Sequence, residues 1–280
     1  MNIENFKQHL ISYEKSESTV SKYIRDVTAY IAWLDGREMS KELTVKYKEE
    51  LKEKYELSSV NTILSSLNSY FDWIGHPEYK TKNIKIQKDD FTDPYRELTK
   101  EEYERLLQTA YEEGKYRIYY VMQTICATGI RVSELKYVTV EAIKRGFAYV
   151  TNKGKSRRVY IPDSLAALLQ PYITMKNIKK GAIFVTRTGK PLDRSNIWAA
   201  MKKLCKKAGV LASKVFPHSL RHLFARTYYK THQDVMRLAD ILGHSSVNTT
   251  RIYTAESGEI HCRRIQVLDL VFDLFAVNTT

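Results

Sequence analysis

The sequence predicts a mainly α-helical protein of two domains, the second carrying one small antiparallel β-sheet. Three observations lead there. The first 75 residues hold four stretches with apolar residues at three-four spacing, the period of an amphipathic helix. Residues 76–97 lack that period, are rich in charge and contain Pro77 and Pro94. Beyond them helical periodicity resumes, broken only by two short β-rich runs around a glycine-containing turn.

Taken in order, Asn5 to Lys15 places Phe6, Leu10, Ile11 and Tyr13 at helical spacing. Ser18 is the expected cap of a second helix bearing Val20, Ile24, Val27, Ile31 and Leu34, with Gly36 as its stop. Lys41 to Lys54 is a charged amphipathic third, and Ser58 or Ser59 the expected cap of a fourth that carries Val60 to Ile74 and ends at Gly75-His76-Pro77. These helices form a first domain at 1–80, with 81–97 as linker and 98–280 as the second domain. Thr99 and Glu102 form a capping box that opens the latter.

In the second domain, Tyr116 to Thr128 reads as an apolar helix ended by Gly129, and Arg131 to Leu135 begins another. Phe147 to Thr151 and Arg157 to Pro162 read as strands joined through Asn152-Lys153-Gly154-Lys155-Ser156. Further helices are expected over 163–173, 194–208, 217–231, 233–242 and about 264–275, the last an apolar tail.

Composition narrows the function. The 280 residues are 43% hydrophobic and 28% charged, which excludes a disordered or collagenous chain. No apolar run approaches the ~18 to 20 residues of a membrane span, and the N-terminus has no basic-then-apolar leader pattern, so a cytoplasmic address is expected and a membrane partner is not. Cys126, Cys205 and Cys262 show no CxxC spacing, which fits reduced thiols. Of 45 Lys+Arg and 32 Asp+Glu, residues 1–90 hold only 14 and 15, leaving 31 and 17 for the remainder. The basic second part has a field that favours a polyanion, and nucleic acid is the commonest inside cells.

Four fragments carry chemistry: Thr128-Gly129-Ile130-Arg131-Val132-Ser133-Glu134-Leu135, the hairpin with Lys153, Pro217-His218-Ser219-Leu220-Arg221-His222, and Leu242-Gly243-His244 followed nine residues later by Tyr253. Two guanidiniums can grip the non-bridging oxygens of a phosphodiester and stabilise a pentavalent transition state, and a phenol beside them can attack phosphorus. Each fragment alone has a plainer reading: Arg131 can pair with Glu134 on the next turn, His218 can cap a helix, and Lys153 and Lys155 can be solvated. His218 and His222 at i and i+4 also evoke a metal site, but the Glu of HExxH and a third ligand are missing, so no metal is expected.

The ordered set resembles the tyrosine recombinase family, also called phage-type integrases. The match spans about residues 98–275, and the preceding four-helix segment is similar to that family's SAM-like core-binding domain. The resemblance implies that Arg131 and Arg221 hold the scissile phosphate, Glu134 supports Arg131, His218 and His244 contact the phosphate, and Tyr253 is the nucleophile of a 3′-phosphotyrosyl intermediate. It implies Lys153 as the acid that protonates the 5′-hydroxyl leaving group, with Lys155 as the alternative. No cofactor is implied, because Arg, His and Lys can neutralise the developing charge.

The implied partner is double-stranded DNA, closed in a C-shaped clamp. Lys22, Arg25, Lys82, Lys85, Lys155, Arg157, Lys202 and Lys206 are the expected DNA contacts. A homo-tetramer on DNA through exchange of the tail helix, strand exchange through a Holliday junction, service to a mobile element and accessory DNA-bending proteins complete the expectation. Two alternatives stay open from the sequence: a type IB topoisomerase-like enzyme that relaxes supercoils, and a non-catalytic DNA-binding protein.

Overall fold

The structure is a computed structural model that describes residues 3–86, 97–152, 155–244, 246–253 and 266–267. It divides into two compact units, Met1–Lys88 and Asp89–Thr280.

The first unit is four helices around one core: α1 (Ile3–Ser12), α2 (Glu17–Leu34), α3 (Lys41–Lys54) and α4 (Leu57–Trp73). Phe6, Val27, Tyr30, Val60, Leu64, Leu67 and Phe71 are at most 0% exposed, so the three-four stripes read from the sequence meet in the centre. The caps differ in detail from expectation. Ser16, not Ser18, accepts from the Thr19 amide and opens α2, while Asp35 takes the left-handed conformation at its end, one residue before Gly36. α4 starts after Glu56 with no side-chain cap, so Ser58 and Ser59 lie inside it.

Residues 81–86, read as the start of the linker, pack on this unit. Asn61 brackets Ile84, its Nδ2 donating to the Ile84 carbonyl at 2.9 Å and its Oδ1 accepting from the Ile84 amide at 2.7 Å. Asn68 does the same for Thr81. Side-chain amides replace the ladder partners of an extended segment, and such a device has no period to read in a sequence.

The second unit opens with α5 (Lys100–Glu112), whose capping box is present on both sides: the Thr99 hydroxyl accepts from Glu102 N, and the Glu102 carboxylate accepts from Thr99 N. α6 (Tyr116–Thr128) follows and ends on Gly129. Residues Val132–Tyr137 form a 3₁₀ turn rather than the helix expected from Arg131. A six-residue helix that the sequence did not announce, α7 (Val140–Arg145), sits between Thr139 as N-cap and Gly146 as C-cap.

Strands β1 (Phe147–Asn152) and β2 (Lys155–Tyr160) pair antiparallel, with Phe147 opposite Tyr160 and Asn152 opposite Lys155. Helices α8 (Asp163–Met175), α9 (Arg194–Ala208), α10 (Pro217–His232) and α11 (Val235–Leu242) complete the unit. Val121, Met122, Ile125, Leu169, Met201 and Leu204 are fully buried in its core.

Lys153 lies outside the described residues. So does the tail helix expected at about 264–275, apart from Gln266 and Val267. Among the described residues no helix is long and apolar enough to cross a membrane, and no three His, Cys, Asp or Glu side chains form a group that could hold a metal ion.

Candidate active site

The end of α6 builds the first wall. Gly129 adopts φ +62° as the helix stops, and a Cβ there would lie 2.5 Å from the Phe224 ring, so glycine is needed for both conformation and space. This turn delivers Arg131. Its backbone N–H donates to Glu134 Oε2 at 2.9 Å, its Nη1 to Glu134 Oε1 at 3.0 Å and its Nη2 to the Gly243 carbonyl at 3.1 Å.

Glu134 is 1% exposed. Burial by itself would raise its pKa, but hydrogen bonds from Arg157 and the Arg131 amide, with the charges of both arginines, hold the carboxyl below the usual range. It is therefore an anion at neutral pH.

α10 supplies the second wall. Pro217 stands at its first position, where a missing N–H costs nothing. Arg221 one turn later is 1% exposed. Its Nη1 donates to the Gly129 carbonyl and its Nη2 to the Leu242 carbonyl at 2.7 Å and to His244 Nε2 at 3.1 Å. Its Nε is buried without a hydrogen-bond partner. Burial, then the Arg131 charge, pull the guanidinium down to about 10, which still leaves it cationic at neutral pH. A buried cation with an unfilled donor suits an anion.

The third wall is the turn after α11. Gly243 takes φ +63°, and His244 follows it with Nδ1 2.8 Å from Thr250 Oγ1. Burial and then the Arg221 charge lower His244 to about 4, so its ring is neutral. Tyr253 closes a 3₁₀ turn (Arg251–Tyr253) and is 5% exposed. Burial raises the pKa of its phenol, and the Arg221 charge works in the opposite sense without overcoming it.

The aromatic rings form a chain. His218 meets His222 at 4.7 Å between centroids, His222 meets Tyr253 edge-on at 5.0 Å, and His244 stacks on Tyr253 at 6.2 Å. His222 is lowered to about 4 by burial and then by His218. It packs against Tyr253, a contact invisible in the sequence because it depends on how the turn folds back onto α10.

Arg131, His218 and Arg221 line a single cleft of ≈ 510 Å³ together with Ser133, Asp193 and Arg194. His218 reaches solvent at its mouth, and partial desolvation followed by the charges of Arg221, Arg194 and Arg131 keeps its imidazole below the ordinary value. The cleft thus gathers three guanidiniums and an imidazole around a space that can admit a phosphate and its flanking groups, with a phenol behind them. Such a constellation can bind a phosphodiester, stabilise added negative charge and present a nucleophile.

The residues expected to touch DNA are distributed differently. Arg157 is turned inward: its Nη1 and Nη2 donate to Glu134 Oε1 and Oε2 at 2.9 and 3.0 Å, and its Nε donates to the Ile241 carbonyl at 3.2 Å. Its guanidinium is committed inside the protein, not presented to a phosphate. Lys22 donates to Asp26, Thr62 and Ser66 within the first unit; the neighbouring Arg25 also donates to Asp26, at 3.1 Å from Oδ1, but is largely exposed. Lys82 and Lys85 are exposed on the 81–86 segment. On α9, Lys206 is exposed, while Lys202 donates to the Ala212 carbonyl and lies over the Trp198 ring. Lys155 begins β2, and its side chain is outside the described residues.

Comparison with known proteins agrees in both units. The phage integrase family matches residues 96–259, and the N-terminal SAM-like domain of phage integrases matches residues 3–76. The tyrosine recombinase XerA of Pyrococcus furiosus is 30% identical over 262 residues, covering 90% of this chain and 88% of the relative. A lambda integrase (75–356) dimer bound to a COC′ core site superposes with a TM-score of 0.71 at 20% identity, over 90% of this chain and 93% of the other. The Tn1549 transposon integrase in complex with transposon right end DNA gives 0.71 at 17% identity, over 97% and 100%.

Proposed function

The chain belongs to the phage integrase family and is a tyrosine recombinase, and from that premise we propose that it cuts and rejoins duplex DNA through Tyr253. The observation that carries the reading is the meeting of Arg131, Arg221 and His218 on one cleft, with His244 bonded to Arg221 and stacked on Tyr253.

In the proposed reaction Arg131 and Arg221 hold the two non-bridging oxygens of the scissile phosphate. The Tyr253 oxygen forms a bond to phosphorus while the bond to the 5′-oxygen breaks, leaving a 3′-phosphotyrosyl linkage. The phenolic proton passes towards His218, whose lowered pKa keeps it neutral and able to accept. Lys153 gives a proton to the departing 5′-oxygen. Reversal by a 5′-hydroxyl from another strand reseals the backbone without ATP, and two rounds pass through a Holliday junction. The service we assign is integration or excision of a mobile element by a tetramer on DNA.

Treating sheared source DNA with wild-type and Tyr253→Phe protein, denaturing, and sequencing whatever stays covalently attached tests this. A wild-type adduct at one recurring sequence is expected, and its position at the ends of an element supports the mobile-element role. Adducts with Tyr253→Phe overturn the nucleophile, and scattered adducts point to a relaxing enzyme instead.

A further inference from the structure

We infer that Arg157 is a positioning residue for the phosphate grip: it shares the Glu134 carboxylate with Arg131 and so keeps the Arg131 charge available to substrate. The inference rests on the proposed role of Arg131 as a phosphate ligand.

Four donors converge on one carboxylate. Glu134 Oε1 accepts from Arg131 Nη1 and Arg157 Nη1, and Oε2 accepts from the Arg131 amide and Arg157 Nη2. The parallel fork belongs to Arg157, which is the stronger, bidentate geometry for a guanidinium on a carboxylate. Arg131 is left with a single side-chain bond to the same anion. One negative charge thus serves two positive ones, and the triad retains a net positive charge at the cleft wall. Without Arg157, Glu134 would pair with Arg131 alone and neutralise the charge meant for the transition state.

Arg157 is also fixed from two further directions. Strand β2 alternates Val159 inward against Arg158 and Tyr160 outward, and Arg157 shares the inward side. Its Nε holds the Ile241 carbonyl at 3.2 Å, and a Cβ on Gly243 would lie 2.6 Å from its Cδ. The side chain therefore runs tightly beside the Leu242-Gly243-His244 turn, whose Gly243 carbonyl in turn accepts from Arg131 Nη2. Arg157 joins the hairpin strand, the Arg131 anchor and the turn that presents His244.

The test compares cleavage of an ordinary phosphodiester with cleavage of a methylphosphonate, one non-bridging oxygen of which is replaced by an uncharged methyl group, at the site recovered by adduct sequencing. Arg131→Ala should be strongly impaired on phosphodiester and relatively rescued on one methylphosphonate stereoisomer, because less charge then needs neutralising. Arg157→Gln should lose on the order of 10²-fold on phosphodiester and be rescued on that same stereoisomer. The double variant should be no slower than Arg131→Ala alone, since Arg157 acts through Arg131. Should Arg157→Gln fail to fold, Arg157→Lys, which keeps charge and stem but lacks the fork, reads the same ratio.

An Arg157 deficit equal on both substrates, or additive with Arg131→Ala, overturns the inference and marks Arg157 as a structural brace. If Arg131→Ala itself is rescued on neither stereoisomer, the phosphate-grip reading fails and takes the inference with it.

Discussion

Nη2 of Arg221 lies 3.1 Å from Nε2 of His244, and this contact assigns the imidazole tautomer. A guanidinium only donates, so Nε2 is the accepting nitrogen and the proton sits on Nδ1, facing Thr250 Oγ1 at 2.8 Å. Before His244 can donate to a phosphate through Nε2, the anion must displace this bond and Nε2 must gain a proton. That proton is taken from solvent if Thr250 keeps accepting from Nδ1, or moved from Nδ1 if the Thr250 hydroxyl turns to donate. While Thr250 keeps accepting from Nδ1, DNA binding near neutral pH should take up protons. Calorimetry in buffers of different ionisation enthalpy measures the uptake, and a buffer-independent heat would mean that the proton moves from Nδ1 to Nε2 instead.

Thr250→Val tests the other side of the ring. The methyl group replaces the only described partner of Nδ1, so the tautomer loses its lock while the volume is kept. The expected stability loss is about 1 kcal/mol, the scale of one unsatisfied buried donor. Cleavage should fall by more, on the order of tenfold, because the acceptor face of His244 is no longer fixed towards Arg221. Urea unfolding and single-turnover cleavage separate the two, and unchanged cleavage would show that the tautomer is irrelevant.

His222 and His244 are both held near 4 in the folded state, against about 6.5 when exposed. Above pH 6.5 neither state binds these protons and there is no penalty. As pH falls from about 6.5 towards 4, the unfolded chain binds protons that the folded chain excludes, so stability declines. The melting temperature should be lower at pH 5 than at pH 7.5, and His222→Phe should reduce the difference. A melting temperature that stays constant over that interval would mean that the rings are solvated.

Gly129 and Gly146 separate conformation from crowding. Both have positive φ, +62° and +80°, but a Cβ on Gly146 meets nothing within 4 Å, whereas one on Gly129 meets the Phe224 ring at 2.5 Å and Leu242 at 3.1 Å. Gly146→Ala should cost only the left-handed strain, about 1 to 2 kcal/mol. Gly129→Ala should add an overpacking cost, roughly 2 to 5 kcal/mol in all, and displace the Gly129 carbonyl that Arg221 Nη1 holds. Equal urea midpoints for the two variants would refute the crowding.

The sequence made the fold readable wherever a period or a cap repeats a physical rule. The stripe of α4 from Val60 to Phe71 and the Thr99–Glu102 box are seen in the structure because each depends on residues a few positions apart. The site was legible as residue types: Arg131, Arg221, His244 and Tyr253 stood out by their motifs and come together in the structure. What stayed hidden is long-range. Arg157 reaches Glu134 across 23 positions and Ile241 across 84, and its neighbour Arg158 is outward, so nothing local distinguishes the buried arginine from the exposed one.

The same ambiguity attends Lys22 and Arg25, both expected to face DNA. Lys22 Nζ lies 2.5 Å from Asp26 Oδ2 and 3.1 Å from Ser66 Oγ, and Asp26 is 4% exposed. Removing the ammonium leaves the buried carboxylate with Arg25, whose Nη2 donates to Asp26 Oδ1 at 3.1 Å, and with the Ser66 hydroxyl. Lys22→Ala should therefore destabilise the protein by about 1 kcal/mol while leaving the salt dependence of DNA binding nearly unchanged. Arg25 shares the same carboxylate, but with 73% of its side chain exposed its ion pair is open to solvent and its guanidinium can also reach a ligand. Arg25→Ala should cost up to about 1 kcal/mol and reduce the slope of log K against log salt by about 1 if it contacts a phosphate. Titrations at several salt concentrations with both variants decide it: a slope change from Lys22 but none from Arg25 would place the DNA against a different face of the first unit.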